Sequence, residues 1–314
     1  MFWIRKHILI PLVSLLLVAP LLTTANAQQN APKKIVATFS ILGDIVQNIA
    51  GDRGQVSVLV QPGGDAHVYS PSATDVRTIK EADIIFENGL SFEGWIKRLI
   101  SSSGTSAKVI TASKGITPLD IHPHSHDGHD HASDHNHHDD TDPHAWQDVA
   151  NVKIYVANIR DALIELDPEG KETYTQNADH YLEKLDQVDQ EIRTVISALP
   201  IDHRKVITPH DAFGYFANAY GITFIGVQGI SSASEASAKD VAKIIRRIKT
   251  EKIPAVFIET LSNPRLIKQI SQETGAKIGD PIFSDSLSPK DGPAPTYLKM
   301  MEYNIKALQK ALAK

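Results

Sequence analysis

Apolar residues fall along this chain in short bursts, separated by longer amphipathic stretches. Residues 34–39 (KIVATF) are a β-rich apolar run that predicts a buried strand. Residues 41–50 have helical spacing and are ended by Gly51. Residues 56–60 predict a second strand, broken by Pro62-Gly63-Gly64. The pattern then predicts a helix over 72–82 with Ser72 as N-cap, a strand over 84–87, a helix over 92–100, a short strand over 108–110 and a helix over roughly 148–165. The second half repeats the rhythm. Strands are expected at 205–208, 223–227, 255–259 and, weakly, 277–278; helices are expected at 212–220, 239–250, 264–274 and 295–312. Strands alternating with helices predict an α/β protein of two pseudo-symmetric lobes, each a parallel sheet flanked by helices.

Between the halves, Tyr174, Ala178, Tyr181, Leu182, Leu185, Val188, Ile192, Ile196 and Leu199 advance in steps of three and four. That is one stripe of a long amphipathic helix. At 1.5 Å per residue it runs about 40 Å, enough to pack along both lobes as a rigid backbone. The expected division is a leader over 1–27, an N-terminal lobe over 28–168 with a His/Asp-rich loop at 120–141, the linker helix over 169–200 and a C-terminal lobe over 201–314.

The N-terminus reads as an export signal. Arg5-Lys6 precedes an apolar run of fifteen residues (8–22), and Ala25-Asn26-Ala27 offers a small-x-small cleavage site. The run is short for a bilayer span. With no cysteine in the chain to carry a lipid, the expectation is a periplasmic protein without an anchor.

Composition sharpens the chemistry. The chain has 32 Lys+Arg against 37 Asp+Glu, and no basic stripe that would fit nucleic acid. Residues 120–148 alone hold eight aspartates and no Glu, Lys or Arg, so the acidity is concentrated there. Zero cysteines exclude disulfides, thiolate metal sites and a cysteine nucleophile. Any metal must sit on nitrogen and oxygen. Nine of the fourteen histidines fall between positions 122 and 144.

In parallel α/β sheets, sites gather where the strands' carboxyl ends meet the loops. Four metal-capable residues occupy such positions: His67 after the second strand, His144 after the fourth and its long loop, His210 after the first strand of the second half, and Asp285 after the last. Two ligands from each half would meet across the cleft, and three imidazoles with one carboxylate make a complete tetrahedral set for Zn²⁺. His180, on the linker helix, and His203 read as surface residues. Glu259 and Asp211 lie near the ligand loops; they are read either as groups that orient an imidazole or as parts of structural salt bridges.

The segments GGDAHVYSP (63–71), FENGLSFEGW (86–95), DPHAWQD (142–148), PHDAFGYFANAYGI (209–222) and SDSLS (284–288) resemble those of the metal-binding lipoprotein and zinc-transport family. These are the cluster A-I solute-binding proteins of ABC importers for zinc and manganese. The resemblance runs over essentially the whole mature chain. It implies two α/β lobes on one long helix, no enzymatic activity, ligands at His67, His144, His210 and Asp285, and an inner-membrane ABC permease as partner. It leaves room for a periplasmic metallochaperone and implies a monomer. Many members have Pro directly before the first ligand, where this chain has Ala66. Manganese-binding members typically carry Glu at the third ligand position. Imidazole suits Zn²⁺ and hard oxygen suits Mn²⁺, so with His210 the set resembles the zinc branch.

The tract 122–140 has no apolar periodicity and cannot form a core. Its His122, His124, His126, His129, His131, His135, His137 and His138 are read as weak zinc-gathering groups over the cleft, against the plainer reading of a tolerated insertion. His124, His126 and His129 nearly match a binuclear hydrolase pattern, but Gly128 stands where that pattern needs Asp. A closed set of four ligands also leaves no position for a catalytic water. A zinc buffer that feeds no transporter is the other alternative.

Overall fold

Each half of the chain builds its sheet from the middle outward. In the computed structural model, which describes residues 31–120, 141–232 and 236–313, the first strand β1 (Lys33–Phe39) lies at the centre of the N-terminal sheet. It pairs in parallel with β2 (Gly54–Val60) on one side and β3 (Ile84–Glu87) on the other, with β4 (Lys108–Thr111) outermost beyond β3. The C-terminal sheet repeats this with β5 (Lys205–Thr208) between β6 (Thr223–Gly226) and β7 (Ala255–Val256), and β8 (Lys277–Ile278) outermost. The two sheets share one strand order, the middle strand coming first in sequence. Each therefore has a switch point where successive connections leave in opposite directions and a crevice opens at the strand ends. The export-signal expectation and the His/Asp tract fall outside the described residues. The tract's two ends, Asp120 and Thr141, meet in an antiparallel bridge.

The helices cover these sheets as the spacing predicts. They are α1 (Ser40–Ala50), α2 (Ala73–Lys80), α3 (Ile96–Ser103), α4 (Val149–Leu166), α5 (Lys171–Ala198), α6 (Gly214–Tyr220), α7 (Ala238–Glu251), α8 (Arg265–Thr274) and α9 (Tyr297–Leu312). Ser72 caps α2 in a full capping box with Asp75. α3 starts four residues later than its apolar pattern predicts. Gly89, Leu90 and Ser91 take left-handed φ values of 82°, 54° and 61°, and the turn is held by Glu93, which accepts from the Asn88 and Gly89 amides and from Thr38 Oγ1. Burial pushes the Glu93 carboxyl up to about 7. β7 is shorter than predicted, but its ladder runs on as single contacts: Phe257 N donates to Ile207 O, and Glu259 pairs with Ile282.

The linking helix α5 spans 28 residues, about 42 Å at 1.5 Å per residue. Its stripe of Tyr174, Ala178, Tyr181, Leu185, Val188, Ile192 and Ile196 is buried and packs on α1, α4 and α9. Its first turn is pinned by Asp167, which accepts from Arg53 Nε and Tyr174 Oη at 2.8 Å each. Asp44 of α1 accepts from Tyr297 N at the start of α9 at 2.9 Å, and burial raises that carboxyl to about 6. One apolar core therefore runs from β1 through α5 to α9. A smaller one, built on Ile244, Ile248, Ile267 and Ile270, lies under α7 and α8.

Truncating Ile192, fully buried on the α5 stripe, removes contacts and leaves a cavity. Ile192→Ala should cost about 2–5 kcal/mol in denaturant unfolding. Gln187→Ala on the exposed face should stay within about 0.5 kcal/mol.

Candidate metal centre

Four loops at the carboxyl ends of β2, β4, β5 and β8 converge and bring His67, His144, His210 and Asp285 together. One ligand atom from each lies within 4.8 Å of all the others. His67 Nε2 is 3.2 Å from His144 Nε2 and 3.5 Å from Asp285 Oδ2. His144 Nε2 is 3.5 Å from Asp285 Oδ1, and His210 Nε2 is 3.1 Å from Asp285 Oδ2. Ligands 2.0–2.1 Å from a tetrahedral first-row ion stand about 3.3 Å apart; these four separations match that spacing, within a set that spans up to 4.8 Å. The side chains are 6%, 0%, 4% and 1% exposed for His67, His144, His210 and Asp285, a desolvation that strengthens any charge interaction made there.

Each ligand is placed by local chemistry. Asp142 Oδ1 accepts from the His144 backbone amide at 2.9 Å and lies 2.7 Å from His144 Nδ1. His144 then opens the short 3₁₀ turn Ala145–Gln147 that leads into α4. Across the cleft, Glu259 Oε2 lies 2.5 Å from His210 Nδ1, and Glu259 Oε1 accepts from the His210 amide at 3.2 Å. The turn after β5 lies so close to β6 that a Cβ on Gly226 would stand 2.7 Å from Asp211 N. The turn occupies 209–213, and α6 begins at Gly214. His67 sits on the irregular loop after β2, its amide donating to Asp65 Oδ1 at 2.9 Å. The edge of Phe92 walls it at a ring separation of 4.7 Å, and Trp146 lies 5.3 Å from the His144 ring.

The donor set is arranged for a cation. Carboxylates that only accept take the Nδ1–H of His144 and His210, which leaves each neutral imidazole with a bare Nε2 facing inward. Those lone pairs confront one another and Asp285, whose Oδ1 is buried with no hydrogen-bond partner. Burial alone would lower the His210 imidazole, but Glu259 and Asp285 outweigh it and hold it well above its ordinary range. Burial alone would raise Asp285, but His210 and His144 outweigh it and hold the carboxyl well below the usual carboxylate range.

Asp285 belongs to the second half by sequence, yet its loop is bonded into the first. Ser284 O accepts from Trp146 Nε1 and Gln147 Nε2, Leu287 N donates to Ser40 Oγ, and Gly63 N donates to Ser286 Oγ. A simple two-plus-two division of ligands between moving lobes therefore understates how the halves are joined. A cavity of about 410 Å³, lined by Asp65, Ser232, Arg265 and the edges of His210, Glu259 and Asp285, adjoins the centre. Ser232 Oγ donates across it to Asp65 Oδ2 at 2.6 Å.

His180 is exposed and pairs loosely with Glu183 at 3.8 Å, as expected. His203 differs: it is half-buried, with Nδ1 2.8 Å from Leu312 O. Asp142 is the site residue that the sequence reading passed over. Its signal was a carboxylate two positions before a ligand histidine. The eight tract histidines lie outside the described residues.

A closed imidazole–carboxylate centre between two parallel-sheet lobes on one long helix defines a metal-binding solute carrier. Residues 35–311 match the family model described as ZnuA, zinc-uptake complex component A, periplasmic, and the chain belongs to that family. It is 33% identical over 282 residues to the manganese-binding lipoprotein MntA of Halalkalibacterium halodurans, covering 90% of this chain and 89% of MntA. It is 36% identical over 297 residues to the iron-binding protein YfeA of Yersinia pestis, covering 92% and 91%. The solved structure of the periplasmic zinc-binding protein TroA of Treponema pallidum superposes with a TM-score of 0.81 at 31% identity, covering 90% of this chain and all of that one. The chain is thus a metal-binding solute-binding protein of an ABC importer, and not an enzyme.

One expectation is corrected by these relatives. MntA is named a lipoprotein, as are relatives from Streptococcus and Lactococcus. Against these names the expectation of a carrier diffusing without an anchor does not stand. The zero cysteine count on which the expectation rested is a property of composition and does not set the compartment.

Glu259 and Asp285 favour the protonated form of His210 in the metal-free protein, and a metal ligand must be deprotonated. About one proton should leave per ion bound near pH 7, and affinity should fall about tenfold per unit as pH drops below the raised His210 value. Calorimetric titration in buffers of different ionisation enthalpy measures the release directly. Metal uptake with no proton released would contradict this charge assignment.

Proposed function

We propose that this carrier captures Zn²⁺ between its lobes and hands it to the permease of an ABC importer. The observation that supports zinc is the donor set: three imidazole nitrogens and one buried carboxylate within 4.8 Å of one another. Imidazole favours Zn²⁺ over Mn²⁺, and the general affinity order for divalent ions runs the same way. In this reading His67, His144, His210 and Asp285 are the ligands of a single tight site. Residues 28–168 and 201–314 are the two lobes, and 169–200 is the backbone between them. The carrier acts as a monomer, and a metallochaperone is compatible with loading from outside the cleft.

Capture follows from burial: a divalent ion entering the centre meets negative charge and lone pairs on side chains that are almost wholly shielded from solvent. Release requires the ligand geometry to be disturbed. Docking on the permease does this most economically by shifting one ligand loop, because the Asp285 loop is bonded to both halves. The tract 122–140 gathers zinc weakly on its histidines and raises its local concentration at the cleft.

Competition titration against a chelator of known affinity tests the metal. Zn²⁺ should bind at least about a hundredfold tighter than Mn²⁺ or Fe²⁺; a preference for either of those ions would replace zinc in this reading. His210→Ala should weaken zinc binding by about two orders of magnitude, and His210→Glu should narrow the zinc-to-manganese ratio. Deleting 122–140 should lower the number of weakly bound zinc ions and leave the tight site intact. Unchanged zinc capture and growth in zinc-poor medium would remove the gathering role.

A further inference from the structure

Glu259 holds the centre from behind through three contacts. Its carboxylate is 1% exposed. One oxygen, Oε2, faces His210 Nδ1 at 2.5 Å and accepts from Ser284 Oγ at 2.8 Å. The other, Oε1, accepts from the His210 backbone amide at 3.2 Å. Ser284 directly precedes Asp285. The main chain of Glu259 is fixed in turn by its bridge to Ile282 and by the Ser262 amide, which donates to the Glu259 carbonyl. One buried carboxylate thus grips both the imidazole and the Asp285 loop, 49 and 25 residues away from it. Asp142 does a simpler task for His144, from only two residues upstream.

We propose that Glu259 is the positioning residue that makes His210 a metal ligand: it forces the proton onto Nδ1, leaves Nε2 bare toward the centre, and couples that imidazole to the Asp285 loop. The inference rests on the metal-capture reading above. The chemistry is one of donors and acceptors. A carboxylate can only accept, so Nδ1 opposite it must carry hydrogen. A glutamine of the same shape has one acceptor and one donor end. Its oxygen must face the His210 amide, since the opposite placement would oppose two donors. Its NH₂ then faces Nδ1 and Ser284 Oγ. The imidazole responds by moving its hydrogen to Nε2, where Asp285 Oδ2, 3.1 Å away, accepts it. The variant fold is fully bonded, yet its Nε2 no longer has a lone pair for a metal.

The test is Glu259→Gln in the full chain, with zinc as the probe. Zinc affinity should fall about 10–100-fold while circular dichroism and thermal unfolding stay close to the parent. Imidazole ¹H–¹⁵N spectra supply a readout that a structural role would not move. Parent protein should show a far-downfield His210 Nδ1 proton both metal-free and zinc-loaded, and the variant should lose it in both states. In a His210→Ala background, Glu259→Gln should have little further effect on affinity. Zinc affinity within twofold of the parent, a retained downfield Nδ1 proton, or a full independent loss in the His210→Ala background would each overturn the proposal. If Glu259→Gln does not fold, Ser284→Ala takes its place, since it removes one contact of the same carboxylate. It should weaken zinc binding about two- to tenfold and move the Nδ1 signal, and parent-like values would again overturn the proposal. Should the parent bind no zinc, the metal reading fails, while the metal-free spectra still decide the role of Glu259.

Discussion

The structure is organised around keeping four mutually repelling lone-pair groups in one dry place. Three imidazole nitrogens and a carboxylate stand 3.1–3.5 Å apart along their closest contacts, a spacing that is unfavourable unless a cation or proton lies among them. Bringing them together has to be offset by the rest of the fold. The offset comes from anchoring each ligand outside the centre. Asp142 and Glu259 hold two imidazoles from behind, Phe92 and Trp146 wall the space, and the Asp285 loop is bonded to Ser40, Gly63, Trp146 and Gln147.

The same constraint explains the architecture beyond the site. Parallel sheets deliver all their strand ends to one edge, so two of them facing each other give four loops with no further construction. They must face each other at a nearly constant separation, because a shift of about an ångström would spoil a set of ligand contacts. α5 serves this need: its stripe runs through a core shared with α1, α4 and α9, and the Asp44–Tyr297 contact ties α1 to α9. By contrast α7 and α8 enclose a separate small core. Its connections to the centre include β5, Glu259 and the Asp65–Ser232 contact.

Much of this was legible along the chain. Strand–helix alternation, the three-and-four stripe of α5 and the punctuation by Pro62-Gly63-Gly64 all correspond to observed elements, with ends displaced by a few residues. The displacements have local causes. At α3 the apolar spacing of Phe92 and Trp95 looks helical, but three successive left-handed residues and the inward-turned Glu93 hold 92–95 in a turn. At α6 the residues before Gly214 are used to aim His210. Strand-end position was enough to single out His67, His144, His210 and Asp285, because a parallel sheet leaves few other places for polar groups to converge. Compartment was not legible in this way: absence of cysteine suggested a carrier without an anchor, and the relatives named as lipoproteins overturn that.

Sequence by itself determined the two α/β halves, the connecting helix, the nitrogen–oxygen character of any metal site and the four residues that meet in it. Those features depend on periodicity and residue type, which are local. Only tertiary structure decided that Glu259 rather than Asp211 backs His210, that Asp142 backs His144, and that Asp285 is bonded as firmly to the first half as to the second. Those assignments depend on which strand neighbours which and on the direction of individual lone pairs. A carboxylate 49 residues from its imidazole carries no mark of the partnership until the β5–β7 pairing brings the two together.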